Sequence, residues 1–314
     1  MSKFCFSSVC TNDSYQFFIP LFVYTTKKAY PDAGVKVFVK GELKDNTREA
    51  LKMIPYDGWE VKEDCFKSYP NRPFITNCLR FLVNEKEYKG YDYVFIKDID
   101  FLIFPHKISH LKFFKTAMGN LPYFGVRGPY RHPRRYNINR IGWKGDFTRI
   151  AGGSFVFKNP EWFEKTREIQ KKYRSFIKHN LADGIDSHIP ASYREYDEVM
   201  LYRIVKKAGL PAPTRKNKNV YKKHAPKIYR DIHLGDFIKK KHGKKRLAGR
   251  VAVENLKLLA KLEKDSLWLQ IRRKAGENAK IREILRRVRK YTKWRLHLSS
   301  LSEEETAKKQ LKNA

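Results

Sequence analysis

Up to about residue 104 the chain alternates short apolar stretches of strand period with stretches of helical period, and this order restricts the fold more than any other feature. Lys3 to Val9, with Phe4 and Phe6 alternating, predicts a strand; polar residues Thr11 to Ser14 follow. Ile19, Phe22, Val23 and Thr26 then recur at the spacing of one helix face. Val35 to Val39 predicts a second strand and Thr47 to Ile54 a second helix. Asn71 to Tyr88 predicts a helix with Ile75, Leu79, Leu82 and Val83 on one side, followed by a short apolar strand over Tyr91 to Ile96. Phe101 to Phe104 continues extended. Alternation of this kind builds a doubly wound α/β sheet. In such sheets ligands gather beyond the carboxyl ends of the strands, where the strand order reverses.

The remainder is less regular. Arg127 to Arg149 mixes Gly, Pro, Arg and aromatic residues, the composition of a long functional loop. Ser154 to Lys158 predicts a strand, and Pro160 opens a helix to Lys178, since proline suits a first turn. Tyr193 to Ala208 predicts a helix stopped by Gly209 and Pro211. After Asp236 the composition turns to KKKHGKKR and then to helical patterns without strands. The expected division is therefore an α/β domain over 1–237 and a basic helical extension over 238–314.

Lys plus Arg number 67 against 33 Asp plus Glu, a formal net charge of +34. Such an excess points to anionic partners: nucleic acid, an acidic membrane surface or phosphorylated substrates. Hydrophobic residues at 41% are enough to bury a core, which excludes global disorder. Cys5, Cys10, Cys65 and Cys78 form no CxxC pair, so neither a zinc site nor a dense disulfide framework is expected. They read as reduced thiols in or near the core. No charged segment followed by a long apolar stretch opens the chain, and the apolar run from Phe17 to Tyr24 is broken by Pro20. A cytoplasmic protein is the expectation.

The most specific chemical signal is Asp98-Ile99-Asp100, set between YDYVFIK and FLIF. Two carboxylates at this spacing at a strand end can face one way and offer hard oxygen ligands to Mg²⁺ or Mn²⁺. A cation held there also binds phosphate oxygens and neutralises a departing diphosphate. A pair of exposed acids in a turn is the bland alternative. The apolar runs on both sides argue against it, because carboxylates interrupting a buried strand are costly without a partner.

The order of motifs resembles the GT-A glycosyltransferases, especially family 8, which includes glycogenin and bacterial lipooligosaccharide galactosyltransferases. The resemblance runs over about residues 3 to 237, through Thr11-Asn12-Asp13-Ser14-Tyr15, Arg80, Asp98 and Asp100, Ala151-Gly152-Gly153, Tyr196-Asp197-Glu198 and Ile232-His233-Leu234-Gly235. It implies a Rossmann-like mixed central sheet flanked by helices. It further implies nucleotide contact by Asn12, Asp13, Tyr15 and Arg80, sugar or acceptor approach at Gly152 and Gly153, and a metal on Asp98, Asp100 and His233. Asp197 and Glu198 would be the carboxylates beside the sugar. The cofactor would be Mn²⁺ or Mg²⁺, the donor a nucleotide-diphosphate sugar (a UDP-sugar in the first instance), and the acceptor a glycan, lipid-linked or protein-linked hydroxyl. The family's Lys-Pro-Trp ending has no counterpart after His233.

Each of these residues has a plainer use. Asn12 and Asp13 are good helix caps, Gly152 and Gly153 can make a tight turn, and Asp197 and Glu198 suit a helix first turn. A lone histidine such as His233 is commonly structural. Two other functions compete: a metal-dependent nucleotidyltransferase, which also uses paired aspartates, and a basic nucleic-acid-binding protein. No helix-turn-helix, zinc finger or aromatic RNA-binding pattern accompanies the charge, which sets nucleic acid behind a sugar nucleotide. In the extension, Ile281, Ile284, Leu285, Val288 and Tyr291 line one helix face, continued by Trp294 and Leu298 and ringed by Arg282, Arg286, Arg287, Arg289, Lys290 and Lys293. Such a helix can lie on an anionic membrane or pack its stripe on the rest of the chain. The charge density favours the membrane, placing the protein peripherally on its surface.

Overall fold

The computed structural model describes residues 2–70, 77–105, 109–125, 154–178, 196–211, 231–235, 253–276 and 282–297. The first part alternates β1 (Phe4–Cys10), α1 (Phe18–Ala29), β2 (Gly34–Val39), α2 (Asp45–Lys52), β3 (Trp59–Lys62) and β4 (Tyr93–Lys97). There follow β5 (Phe101–Leu102), α3 (His110–Met118), β6 (Tyr123–Gly125), β7 (Ser154–Lys158), α4 (Asn159–Lys178), α5 (Tyr196–Lys207) and β8 (Ile232–His233). Three helices close the described chain: α6 (Val253–Leu262), α7 (Ser266–Lys274) and α8 over 282–297.

Six strands form one sheet in the order β3-β2-β1-β4-β7-β6. The pairs β2–β3, β1–β2 and β1–β4 are parallel, and β7 runs antiparallel to β4 and β6. The chain builds outward from β1 through β2 to β3, then returns to lay β4 on the other side of β1. The order thus reverses between β1 and β4, and their carboxyl ends border the crevice where sheets of this type take ligands.

Both faces of the sheet are covered, and alternate side chains of each strand go to opposite cores. Phe6, Val35, Val37, Phe95 and Val156 pack with Ile19, Phe22 and Val23 of α1. Val94, Ile96, Phe155 and Phe157 pack on the other face with Leu79, Leu82, Trp162 and Phe163. All three buried cysteines and the half-buried Cys65 are free thiols.

The expected α/β sheet is present, with three local differences. The single helix expected over Asn71 to Tyr88 is, in its described part, a helical stretch over 77–79, a turn, and a 3-10 helix over Glu85–Tyr88. Phe81 N–H and Leu82 N–H donate three residues back to Cys78 and Leu79, which tightens the chain, and Asn84 is extended at φ −68°, ψ 145°. Leu79, Leu82 and Val83 still reach the core from this broken path, and Ile75 lies outside the described residues. Strand β3 was not expected, since Glu60 and Lys62 obscure its alternation; it lies at the sheet's edge and pairs only with β2. Helix α3 and strand β6 were likewise not expected.

The three last helices are not separate from the sheet's core. Leu256 and Leu259 of α6, Trp268 and Ile271 of α7, and Ile284, Leu285, Val288 and Tyr291 of α8 are buried in the same cluster as α1 and β2. Helix α7 packs on α1 and α2. Asp265 caps it, accepting from Leu267 N–H and Trp268 N–H, and also takes a 2.6 Å hydrogen bond from Tyr24 Oη and an ion pair from Lys28. The composition change near residue 237 is therefore not matched by a change of core. The apolar stripe of α8 faces inward, so the packing alternative describes that face, while Arg282, Arg286, Arg289, Lys290 and Lys293 are exposed. Among the described residues no helix is long and apolar enough to cross a membrane.

Candidate metal centre

Strand β4 is buried through Ile96 and Lys97, and the chain turns immediately beyond it. The turn is closed by Phe101 N–H donating to Asp98 C=O at 3.2 Å, and it delivers Asp98 and Asp100 at the carboxyl end of the strand. Strand β5 then pairs antiparallel with β8 in a two-stranded ribbon, Phe101 opposite His233 and Leu102 opposite Ile232. That pairing brings His233 from far along the chain onto the aspartate turn. Its ring stacks on Phe101 with centroids 4.6 Å apart and planes 11° from parallel. Leu234 N–H donates to Asp100 C=O at 2.9 Å and fixes the same crossing from the backbone.

The result is a compact ligand set. One ligand atom from each of Asp98, Asp100 and His233 can be chosen so that all lie within 4.8 Å of one another. His233 Nε2 is 3.1 Å from Asp100 Oδ1 and 4.0 Å from Asp98 Oδ2. Asp100 is buried, its side chain 6% exposed, whereas Asp98 and His233 are partly open to solvent. Two carboxylates and an imidazole around one point, open on one side, fit a six-coordinate hard cation that also needs oxygen ligands from a substrate.

Gly235 supplies a second sign of fit. A Cβ there would lie 2.5 Å from Asp100 Oδ2 and 2.8 Å from His233 Nε2. Any other residue would push into the space the ligand atoms share. The steric role of Gly235 arises only from the fold, which brings His233 against Asp100.

Arg80 holds the outer side of the cluster. Its guanidinium pairs with Asp98 Oδ1 through Nη1 and with Asp197 Oδ2 through Nη2. One oxygen of Asp98 is thus engaged by Arg80 while the other faces His233. Asp197, at the start of α5, is buried and joined to the centre through this guanidinium. Glu198 belongs to the same helix, and its side chain lies outside the described residues, as do Gly152 and Gly153.

The turn after β1 follows the strand that pairs with β4. Asn12 realises the capping alternative: its Oδ1 accepts from Ser14 N–H and Ser14 Oγ, both at 2.9 Å, to start a 3-10 helix over Asp13–Tyr15. Asp13 is exposed, and Gln16 Nε2 donates to it at 3.4 Å. Tyr15 is half-buried with its ring 5.4 Å from Phe18. Burial pushes its hydroxyl pKa up, and the negative charge of Asp100 adds to the rise, which relates the β1 turn electrostatically to the aspartate turn. Burial lifts Cys10 to about 12 and raises Cys78 well above the ordinary thiol range, with Asp197 adding to the latter. Neither thiol beside the crevice is a thiolate nucleophile at neutral pH.

Lys97 and Asp231, neither singled out by sequence, lie immediately behind the centre. Lys97 Nζ is 2.8 Å from Asp231 Oδ2, with side chains 2% and 0% exposed. A buried lysine one residue before Asp98 could have drawn attention as a charge within an apolar run. Its partner could not be read without the fold.

No family model matches the chain, and neither does any curated protein. Solved structures that resemble it include the glycosyltransferase GlyE of Streptococcus pneumoniae TIGR4, 12% identical over 66% of this chain and 44% of that chain, with a TM-score of 0.39. The WbbM bifunctional glycosyltransferase is 10% identical over 91% of this chain and 52% of that chain, at 0.43. Core-mannan synthase A of Aspergillus fumigatus in its Mn/GDP form is 9% identical over 68% of this chain and 71% of that chain, at 0.39. The match thus spans less than half of the pneumococcal enzyme's length.

Proposed function

We propose that the chain is a glycosyltransferase of the GT-A kind. It binds a nucleotide-diphosphate sugar, a UDP-sugar in the first instance, in the crevice beyond β1 and β4. The sugar goes to a hydroxyl of a glycan, lipid-linked or protein-linked acceptor. The observation that carries this reading is the meeting of Asp98, Asp100 and His233 at the point where the strand order reverses. Mn²⁺ or Mg²⁺ bound by those three would supply countercharge to the diphosphate oxygens.

The surrounding residues have separable roles. Asn12, Asp13 and Tyr15 border the side of the crevice where the nucleoside would rest, and Gly152 and Gly153 would allow the sugar or acceptor close to the backbone. Arg80 bridges Asp98 and Asp197 through its two nitrogens and so would fix their orientation. In the transfer, the bond between the anomeric carbon and the diphosphate oxygen breaks and its electron pair leaves on phosphate. The acceptor oxygen bonds to the anomeric carbon as its proton passes to an oxygen of the departing diphosphate. Asp197, with Glu198 beside it in sequence, would offer negative charge to the positive character that develops at the sugar. Basic side chains around Arg131, Arg134, Arg135 and Lys222, outside the described residues, would add countercharge to the leaving group.

The experiment is a hydrolysis screen with purified protein and Mn²⁺ across UDP-, GDP- and TDP-sugars and, in parallel, nucleoside triphosphates, with and without excess EDTA. Cation-dependent release of one nucleoside diphosphate is expected. Release of pyrophosphate from nucleoside triphosphates instead would favour nucleotidyl transfer, and turnover unaffected by EDTA would contradict the metal centre.

A further inference from the structure

The β5–β8 ribbon has a weakness that the metal centre cannot tolerate. It contains only two facing residue pairs, and side chains alternate faces along a strand. A one-residue slip would therefore turn His233 away from the aspartates. Two pairs of short strands specify register poorly on their own. Something outside the ribbon must fix it.

Asp231 is the anchor. It immediately precedes β8, its side chain is buried, and its carboxylate meets donors from β4, from α3 and from the segment after β5. Lys97 Nζ, from the last residue of β4, lies 2.8 Å from Oδ2. His110 Nε2, from the first turn of α3, lies 3.3 Å from the same oxygen, and Phe104 N–H donates to Oδ1 at 3.4 Å. His110 is held in turn by Tyr30 Oη, 2.6 Å from its Nδ1. Lys97 is itself fixed by the sheet, since its carbonyl accepts from Ser8 Oγ at 2.9 Å and its ammonium lies 5.1 Å from the Phe101 ring centre. Lys97 is covalently adjacent to Asp98, and Asp231 is two residues from His233.

We propose that Lys97 and Asp231 are positioning residues for the cation site: their buried ion pair sets the register of β8 on β5 and so places His233 against Asp98 and Asp100. Apolar residues of similar size could fill this space, and burying a charge pair is a poor route to stability by itself. What the pair adds is direction. A carboxylate that must meet one ammonium, one imidazole and one backbone N–H has a single acceptable register, whereas an apolar side chain would accept several. The inference rests on the proposal that Asp98, Asp100 and His233 hold a divalent cation.

The test reads the metal rather than turnover. Mn²⁺ alone is added to the full chain, its affinity measured by titration and its ligands by pulsed electron paramagnetic resonance, in which an imidazole nitrogen ligand modulates the signal. Wild-type protein is expected to show nitrogen modulation, and His233→Ala to lose it. The double variant Lys97→Met/Asp231→Leu removes both charges while keeping an apolar fill. It is expected to melt cooperatively, to lose the nitrogen modulation, and to bind Mn²⁺ about ten- to a hundredfold more weakly, the usual scale for residues that support metal ligands. A folded double variant with intact modulation and affinity within about twofold of wild type would overturn the positioning role. If the double variant does not fold, Asp231→Asn takes its place. It keeps the side-chain shape, its modulation and affinity are expected to fall, and unchanged values would overturn the proposal equally. Wild-type protein without nitrogen modulation would instead remove the metal-centre reading on which this one stands.

Discussion

At the scale of single residues, the chemistry that could be read from sequence is the chemistry that neighbours in the chain provide. Asp98 and Asp100 stand out because two acids interrupt an apolar strand, a local signal, and the fold places both at one point with His233. Gly235 is different, because what forbids a side chain there is the meeting of two distant segments. Gly235→Ala would place a methyl group 2.5 Å from Asp100 Oδ2. The expected outcome is a Mn²⁺ affinity at least about tenfold lower, as for other disruptions of ligand placement, with melting temperature lowered by only a few degrees. Titration and thermal melting of the same preparation check this, and equal Mn²⁺ affinity would refute the steric argument. The Lys97–Asp231 pair was illegible for the same reason as Gly235: each partner looks ordinary until the other is beside it.

At the scale of elements, strong periodicity was a good guide and weak periodicity was not. Strands β1, β2, β4 and β7 and helices α1, α4 and α5 were legible because each carries a continuous apolar pattern. Strand β3 was hidden by Glu60 and Lys62, which an edge position tolerates, and β8 is only two residues long. Asp98 and Asp100 were thus legible at the end of β4, whereas His233 entered only through the family resemblance and the ribbon that carries it was not legible. Helix α5 gives a kinetic prediction. Asp197→Asn should lower kcat by about tenfold or more with little change in nucleotide affinity, the signature of an interaction made mainly in the transition state. A matching loss of nucleotide affinity would assign Asp197 to binding instead. Helix α7 gives a pH prediction. Burial alone would raise the Asp265 pKa, but hydrogen bonds from Lys28, Tyr24 and Trp268 N–H outweigh it and hold the carboxyl below the usual value. A depressed carboxylate adds stability that is present above its unfolded pKa of about 3.9 and is lost as pH falls through the lower folded value. Thermal melting against pH should show wild type losing part of its advantage over Asp265→Asn below about pH 4; a constant difference at all pH values would remove this attribution.

At the scale of the whole molecule, the basic C-terminal region belongs to the fold's main core. Composition alone separated it at residue 237, because charge density changes there, yet Trp268, Ile271, Ile284 and Val288 are buried with α1. Removing residues 238–314 would strip that cluster of several large side chains, each worth about 2–5 kcal/mol, against a total stability of about 5–15 kcal/mol. Truncation is therefore expected to give insoluble or unfolded protein by circular dichroism, and a soluble, cooperatively melting truncated chain would contradict the packing. Arg282, Arg286, Arg289, Lys290 and Lys293 of α8 are solvent-exposed, so full-length protein, not the truncated form, is the material for any vesicle experiment. The central claim is that a divalent cation on Asp98, Asp100 and His233 makes this crevice a diphosphate site. Calorimetric titration of UDP into the full chain, with Mn²⁺ and then with excess EDTA, tests it most directly. The account predicts binding with Mn²⁺ that falls at least about a hundredfold in EDTA or in Asp100→Ala, since several kcal/mol of charge compensation goes with the cation. Equal UDP affinity in all three conditions would contradict it.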